Sequence, residues 1–243
     1  GITPGHFPVF SKPIYNLRSM GSGSGVLASF DDYERALSPG FFWVDLHEGD
    51  HFSTDVAVVD GQAVWSRYTK GYPLNEGTFD YWAVLPDDDQ ALKGYLYHFI
   101  TENFPGYTGM MNFETIDGRI IEMHLRFADQ WPDLYGDDFI PAVISLYQDQ
   151  QWPTAIGEPQ AGYSVVIFDA HRQYKKPGAD FIDQVITDTG ISSVQLSFHE
   201  DKPAELHSMP PGGFRVAIIN SFDLDAAFKA RDLITAEIKR ING

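Results

Sequence analysis

The sequence predicts an α+β chain of antiparallel sheets with flanking helices, and three observations carry that reading. Residues 1–127 run mostly as short apolar and aromatic segments divided by turn residues, with two helical stretches among them. A Pro- and Gly-rich stretch, WPTAIGEPQAG at 152–162, then interrupts the chain. Beyond it comes a compact run of strand, helix, strand, strand and helix. The organisation expected is a first region over 1–127, a helix and linker over 128–161, and a smaller C-terminal α+β unit over 162–243.

Each element has its own signal. HFPVFSKP (6–13) reads as a strand, SMGSGSG (19–25) as a turn and VLASF (26–30) as the returning strand. DDYERALS (31–38) opens with two acids at the positive end of a helix dipole and stops at Pro39-Gly40. FFWVDLHE, HFSTDVAVVD (51–60), AVWSRYTKGY and FDYWAVLP (79–86) read as strands. Asp87, Asp88 and Asp89 cap a helix through about Phe104, with Leu92, Leu96, Phe99 and Ile100 on one face. YTGMMNFETI and RIIEMHLRF pair around Asp117-Gly118, and one helix fits within 139–152. In the C-terminal unit YSVVIFDA, SVQLSFHE and GFRVAIIN are strands, and ADFIDQVITDT and LDAAFKARDLITAEIKRI are helices.

Composition excludes several function classes. The 243 residues carry 17 basic and 34 acidic side chains, so the formal charge is 17 − 34 = −17. Such an excess argues against a general nucleic-acid or anionic-membrane surface. Any phosphate must be held locally, by a few cations, backbone N–H groups or a metal. No apolar run approaches the ~20 residues of a membrane span. With no cysteine there is no disulfide, thiolate metal site or cysteine nucleophile, a composition that fits a reducing cytoplasm.

The most informative segment is GMMNFETIDGRIIEMHLRF at 109–127. Its second strand alternates, with Ile121, Met123, Leu125 and Phe127 on one face and Glu122, His124 and Arg126 on the other. The turn decides what these meet. A two-residue Asp117-Gly118 turn pairs Phe113 with Glu122 and mixes the faces. A three-residue loop, Ile116-Asp117-Gly118, with Gly118 left-handed, pairs Phe113 with Ile121 and Met111 with Met123. The hydrophobic pattern selects this second register. It gathers Asn112, Glu114, Glu122, His124 and Arg126 on one surface. Two carboxylates there repel unless a cation sits between them, and hard oxygen ligands favour Mg²⁺ or Mn²⁺. A solvated charged face on an edge hairpin presents the same pattern, so spacing alone leaves both readings open.

The second segment is FPVFSKPIYNLRSMGSGSGV at 7–26. Lys12 at a strand end, followed by a Gly/Ser loop, offers a polyphosphate one cation and a set of backbone donors. Gly21, Gly23 and Gly25 allow close approach, and Ser22 and Ser24 add hydroxyls. No Gly-Lys-Ser/Thr follows, so this is not a P-loop.

Together the two segments resemble the ATP-grasp superfamily, over about 7–127. FPVFSKP with MGSGSGV is similar to the family's phosphate lysine, here Lys12, and its phosphate-covering loop, here Gly21, Ser22, Gly23 and Ser24. FFWVDLHEGDHFSTDVAVVDG resembles the hinge, where the backbone at Trp43 and Val44 meets the adenine edge. NFETIDGRIIEMHLR resembles the metal hairpin, with Glu114 and Glu122 as bridging carboxylates and Arg126 as the catalytic cation on the transferring group. The resemblance implies ATP and Mg²⁺ (or Mn²⁺) as cofactors and a carboxylate–amine or carboxylate–thiol ligase working through an acylphosphate. It also implies a small carboxylate substrate.

Three departures qualify it. His124 stands where the family usually has a metal-binding Asn, and an imidazole suits Mn²⁺ or Zn²⁺ better than Mg²⁺. His51 stands where a ribose-binding Glu is usual, and can still contact a ribose hydroxyl. Family members normally carry an N-terminal domain and a first phosphate lysine ahead of the point where this sequence starts, so a partner chain that supplies them, or a homo-oligomer, is expected. Two other classes stay open. One is a nucleotide-binding or regulatory module without turnover. The other is a structural or interaction protein whose hairpin face is merely solvated, which would give no nucleotide-induced shift in melting temperature.

Overall fold

The computed structural model describes residues 2–15, 23–75, 78–87, 89–154, 156–157, 160–207 and 213–243. They form two antiparallel sheets with helices against them, the α+β class that the sequence predicts.

The small sheet has β1 (Val9–Pro13) at its centre, between β2 (Gly25–Leu27) and β3 (Phe41–Asp45). Helix α1 (Phe30–Ala36) lies between β2 and β3 in sequence, and the Ser29 hydroxyl caps it by accepting from Asp32 N–H. Register places Phe10 opposite Val44 and Lys12 opposite Phe42, so these four share one face.

The large sheet has eight strands. Its first-half members are β4 (His51–Val59), β5 (Gln62–Asn75), β6 (Thr78–Val84), β7 (Gly109–Ile116) and β8 (Arg119–His124). The C-terminal residues add β9 (Gly162–Asp169), β10 (Ser193–Leu196) and β11 (Phe214–Ser221). The order is β10-β11-β9-β6-β5-β4-β7-β8. Strand β9 pairs antiparallel with both β6 and β11, so the segment beyond the linker continues the sheet by backbone hydrogen bonds.

The two faces of this sheet are treated differently. On one face, α2 (Gln90–Asn103) buries Leu92, Leu96 and Ile100 against Val56, Val58, Tyr68, Met111 and Phe113. Asp89 caps α2 by accepting from Ala91 and Leu92 N–H. Further along the same face, α5 (Leu224–Asn242) packs Ala227, Ala230 and Ile234 against Val165, Ile167, Ala217 and Ile219, with α4 (Ala179–Thr189) beside it. On the opposite face, the segment 128–138 and α3 (Phe139–Asp149) cover the middle of the sheet. There Ala128, Trp131, Tyr135, Phe139 and Leu146 pack on Ala57, Trp82, Val84 and Met110. That cover stops short of the β7–β8 end, and there the candidate site lies.

Candidate functional site

The β7–β8 hairpin corrects the register expected from the sequence. The turn is the two-residue one: Asp117 and Gly118 take φ of 50° and 69°, the left-handed pair a type I′ turn requires. Ile116 pairs with Arg119 and Thr115 with Ile120. The register then shifts, and Glu114 pairs with Glu122, Phe113 with Met123 and Asn112 with His124. Ile121 is the bulged residue. Three-residue loop and Phe113–Ile121 pairing were expected because a two-residue turn alone puts a carboxylate opposite Phe113. The bulge repairs the alternation instead, and it cannot be read from residue types. The strand also ends at His124, not Phe127.

The outcome for chemistry is that Glu114 and Glu122 sit directly opposite each other on one face. One ligand atom each from Glu114, Glu122 and His124 lie within 4.8 Å of one another. His124 Nε2 is 3.3 Å from Glu122 Oε1, and His51 Nε2 is 3.2 Å from Glu114 Oε2. The side chains of Glu114, Glu122 and His124 are 31, 44 and 29 % exposed, so the cluster opens to solvent on one side. His51 is held by edge contacts with Phe79 at 5.1 Å and Trp82 at 5.4 Å. Lys12 reaches across from the small sheet and donates to the Ile121 carbonyl at 2.9 Å. Burial pushes the Glu114 carboxyl up, but the His51 hydrogen bond and the positive fields of His51, His124 and Lys12 outweigh it, so its pKa is lowered.

Next to this open cluster, on the same sheet face, sits a buried polar network that the sequence reading did not single out. Asp55 is fully buried. Its Oδ1 accepts from Asn112 Nδ2 at 2.8 Å and from Ala128 N–H at 2.9 Å. Its Oδ2 accepts from Tyr135 OH at 2.9 Å, and that oxygen in turn accepts from Trp131 Nε1 at 2.7 Å. Asn112 also donates to Ser53 Oγ at 2.9 Å. Desolvation raises the Asp55 pKa to about 6, against the opposing pull of these donors and of Arg126. A signal was present: STD interrupts an apolar run in 51–59. Its partners come from residues far along the chain, which no local pattern names.

The other expected residues fall as follows. Arg126 lies just past the end of β8, and its Nη1 donates to Phe127 O at 3.0 Å. Trp43 and Val44 are on β3, the outer strand of the small sheet, whose far edge meets no other strand among the described residues. The Trp43 indole points elsewhere, donating to Ile2 O at 2.7 Å. His51, expected near a ribose, is bonded to Glu114. Gly23 takes φ of 87° beside the Phe41 ring, and Ser24 follows it; Gly21 and Ser22 lie outside the described residues. A cavity of about 340 Å³ lies between the small sheet and α1, lined by Ser11, Leu27, Leu37, Phe41 and Trp43 among others. It holds none of the charged cluster, and its strand residues Ser11 and Trp43 face away from Lys12.

No family model and no curated protein matches the chain by sequence. Solved structures do match. An L-amino acid ligase from Bacillus licheniformis superposes with a TM-score of 0.63 at 12 % identity, over 97 % of this chain and 64 % of that one. A carboxyaminoimidazole ribonucleotide synthase from Aspergillus clavatus, solved with ATP, gives 0.62 at 13 % identity, over 97 % and 63 %. A phosphoribosylamine–glycine ligase from Thermotoga maritima gives 0.63 at 13 % identity, over 95 % and 66 %. These are ATP-grasp enzymes, and the chain has the ATP-grasp fold that its hairpin and lysine segments resemble. It spans just under two thirds of the length of these structures.

Proposed function

We propose that this chain binds ATP with a divalent metal ion and is an ATP-dependent carboxylate–amine or carboxylate–thiol ligase, or the C-terminal portion of one. The observation that carries this reading is the convergence of Lys12 with Glu114, Glu122 and His124 at the open end of the sheet. In this reading a substrate carboxylate oxygen bonds to the γ-phosphorus of ATP while the bond from that phosphorus to the β–γ bridging oxygen breaks, and ADP leaves. The nucleophile then adds to the acyl carbon of the acylphosphate, phosphate departs with the bonding electrons, and the nucleophile's proton is lost.

The chain's own residues bind and orient. Lys12, whose Nζ already stands at the hairpin, would exchange the Ile121 carbonyl for a phosphate oxygen. Gly21, Ser22, Gly23 and Ser24 donate backbone N–H groups and hydroxyls to the phosphates. The outer edge of β3 at Trp43 and Val44, unpaired among the described residues, offers backbone donors and acceptors to the adenine edge. Arg126, beside the hairpin end, balances charge on the transferring group. The carboxylates of Glu114 and Glu122 fit a divalent ion, which when bound supplies charge neutralisation between phosphate oxygens.

Calorimetric titration with ATP, in Mg²⁺, Mn²⁺ and chelator, tests the reading. Lys12→Met should weaken binding roughly 10–100-fold with or without metal, since a charge-assisted hydrogen bond is worth about 1.5–3 kcal/mol. Glu122→Gln should remove the metal dependence. Equal ATP affinity for wild type and both variants in all three conditions would sink the proposal.

A further inference from the structure

We infer that the hairpin site is built for a transition-metal ion held without nucleotide, zinc before manganese and both well before magnesium. This deepens the reading above and rests on it only in using the same three ligands. Magnesium demands oxygen ligands, dehydrates reluctantly, and with one or two carboxylates depends on phosphate oxygens to complete its sphere. A site serving Mg²⁺–nucleotide alone has no use for an imidazole. Here the register sets His124 two residues from Glu122 on the same face of β8, and sets Glu114 directly across from Glu122. The result is one nitrogen and two carboxylates, with their ligand atoms within 4.8 Å.

The spacing suits a small tetrahedral ion. Ligands held about 2.0–2.1 Å from such an ion stand about 3.3–3.4 Å apart. His124 Nε2 and Glu122 Oε1 are already 3.3 Å apart. A Glu114 ligand atom lies within 4.8 Å of both, and the solvent-facing side of the cluster leaves a fourth position for water or a phosphate oxygen.

The surroundings supply what a bound imidazole–carboxylate site uses. His51 engages one Glu114 oxygen at 3.2 Å, and leaves the other for the ion. Its ring is wedged against Phe79 and Trp82, so the Glu114 carboxylate is oriented before any ion arrives. Among the described residues no Lys or Arg forms an ion pair with Glu114 or Glu122, and Lys12 donates to the Ile121 carbonyl. The fields of His51, His124 and Lys12 already favour the Glu114 carboxylate, so it stands ionised opposite Glu122, and a bound cation would be shared by both.

The test is direct metal titration of the full chain without nucleotide, using Zn²⁺, Mn²⁺ and Mg²⁺ by calorimetry and Co²⁺ by its visible ligand-field bands. Zn²⁺ should bind at a 1:1 site about 100-fold or more tighter than Mg²⁺, and Co²⁺ should give tetrahedral bands. His124→Asn, which replaces the nitrogen with an amide, should shrink the Zn²⁺/Mg²⁺ ratio at least tenfold. His51→Ala should weaken Zn²⁺ about 10–100-fold through loss of the oriented carboxylate. Glu122→Gln serves as a second ligand variant should His124→Asn fail to fold. No Zn²⁺ or Co²⁺ binding would overturn the inference, and so would binding untouched by the His124 and Glu122 changes, which would place the metal on other histidines. The ATP titration in Mg²⁺ is read separately. Zinc binding without ATP binding defeats only the ligase reading, and ATP binding without nucleotide-free zinc defeats only this one.

Discussion

Around Asp55 the face of the large sheet is covered, and around Glu114 and Glu122 the same face is open. The two stretches are neighbours: Asp55 pairs with Asn112 and Asn112 with His124, while Ser53 pairs with Glu114 and Glu114 with Glu122. Residue types differ little between them. What differs is the segment 128–138, which lies over the first and not the second. Under cover, three donors converge on one carboxylate. In the open, two carboxylates and two imidazoles converge with one side turned to solvent. The pKa shifts run in opposite directions as a result. Burial raises the Asp55 pKa, and although burial also acts on Glu114, its cationic neighbours lower that one. A polar face becomes structure or site according to what lies on top of it.

The largest effect should come from breaking the covered stretch. Asp55→Ala leaves Asn112 Nδ2, Ala128 N–H and Tyr135 OH without their acceptor in a dry interior. The expected loss is on the order of 3–5 kcal/mol, read as a drop in the urea midpoint. Glu122→Gln should change stability by no more than about 0.5 kcal/mol, because it removes a half-exposed charge from a repelling pair. Equal losses from both would erase the distinction.

The second effect is in pH. Asp55 titrates at about 6 in the folded chain, against 3.8 as its ordinary value. As pH rises from about 4 to 6, the unfolded chain releases this proton while the folded chain keeps it. This group's contribution to stability therefore falls over that window, by about 3 kcal/mol in all, and is level above it. Asp55→Asn should remove that slope. Denaturant midpoints at pH 4, 5, 6 and 7 for both proteins measure it, and an unchanged slope in the variant would assign the effect elsewhere.

A smaller effect belongs to the far end of the cover. Asp133 accepts from Ser192 and Ser193 hydroxyls, both at 2.7 Å, and from Asn220 Nδ2 at 2.6 Å, which ties the covering segment to β10 and β11. Asp133→Ala should cost about 1–2 kcal/mol, with faster amide exchange confined to β10. Uniform acceleration over the sheet would mean that Asp133 supports the whole fold.

Much of this was legible in the sequence, and the gaps share one cause. The helices 179–189 and 224–242 match their expected limits within a residue, because period, caps and glycine stops are local signals. Glu122 and His124 follow from two-residue alternation in one strand, and Glu114 joins them through the hairpin pairing and the family resemblance. The bulge at Ile121, the pairing of β9 with β6 and the acceptor role of Asp55 were not legible. Each depends on which distant segment arrives alongside, and loop closure leaves no mark in the residues closed. His51 is an intermediate case: its placement near the site was read, but its partner Glu114 lies on the neighbouring strand.

The smallest effect is the sharpest test of which stretch Lys12 belongs to. Its Nζ donates to Ile121 O at 2.9 Å, a contact that joins the small sheet to the hairpin. If that bond were structural, Lys12 would resemble Asp55, and its loss would destabilise the chain. Several features argue otherwise. The bond is only part-buried, the acceptor is a single backbone carbonyl, and a long flexible side chain loses rotamer freedom in making it. A net hydrogen bond of about 0.5–1.5 kcal/mol is then largely offset by that entropy. Lys12→Met, which keeps the apolar stem and drops only the charge, should shift stability without nucleotide by less than about 0.5 kcal/mol. Thermal melts of the two proteins in the same low-salt buffer measure it. A loss above about 1.5 kcal/mol would move Lys12 to the covered class, as a clamp between sheets, and take from the open site its only described lysine.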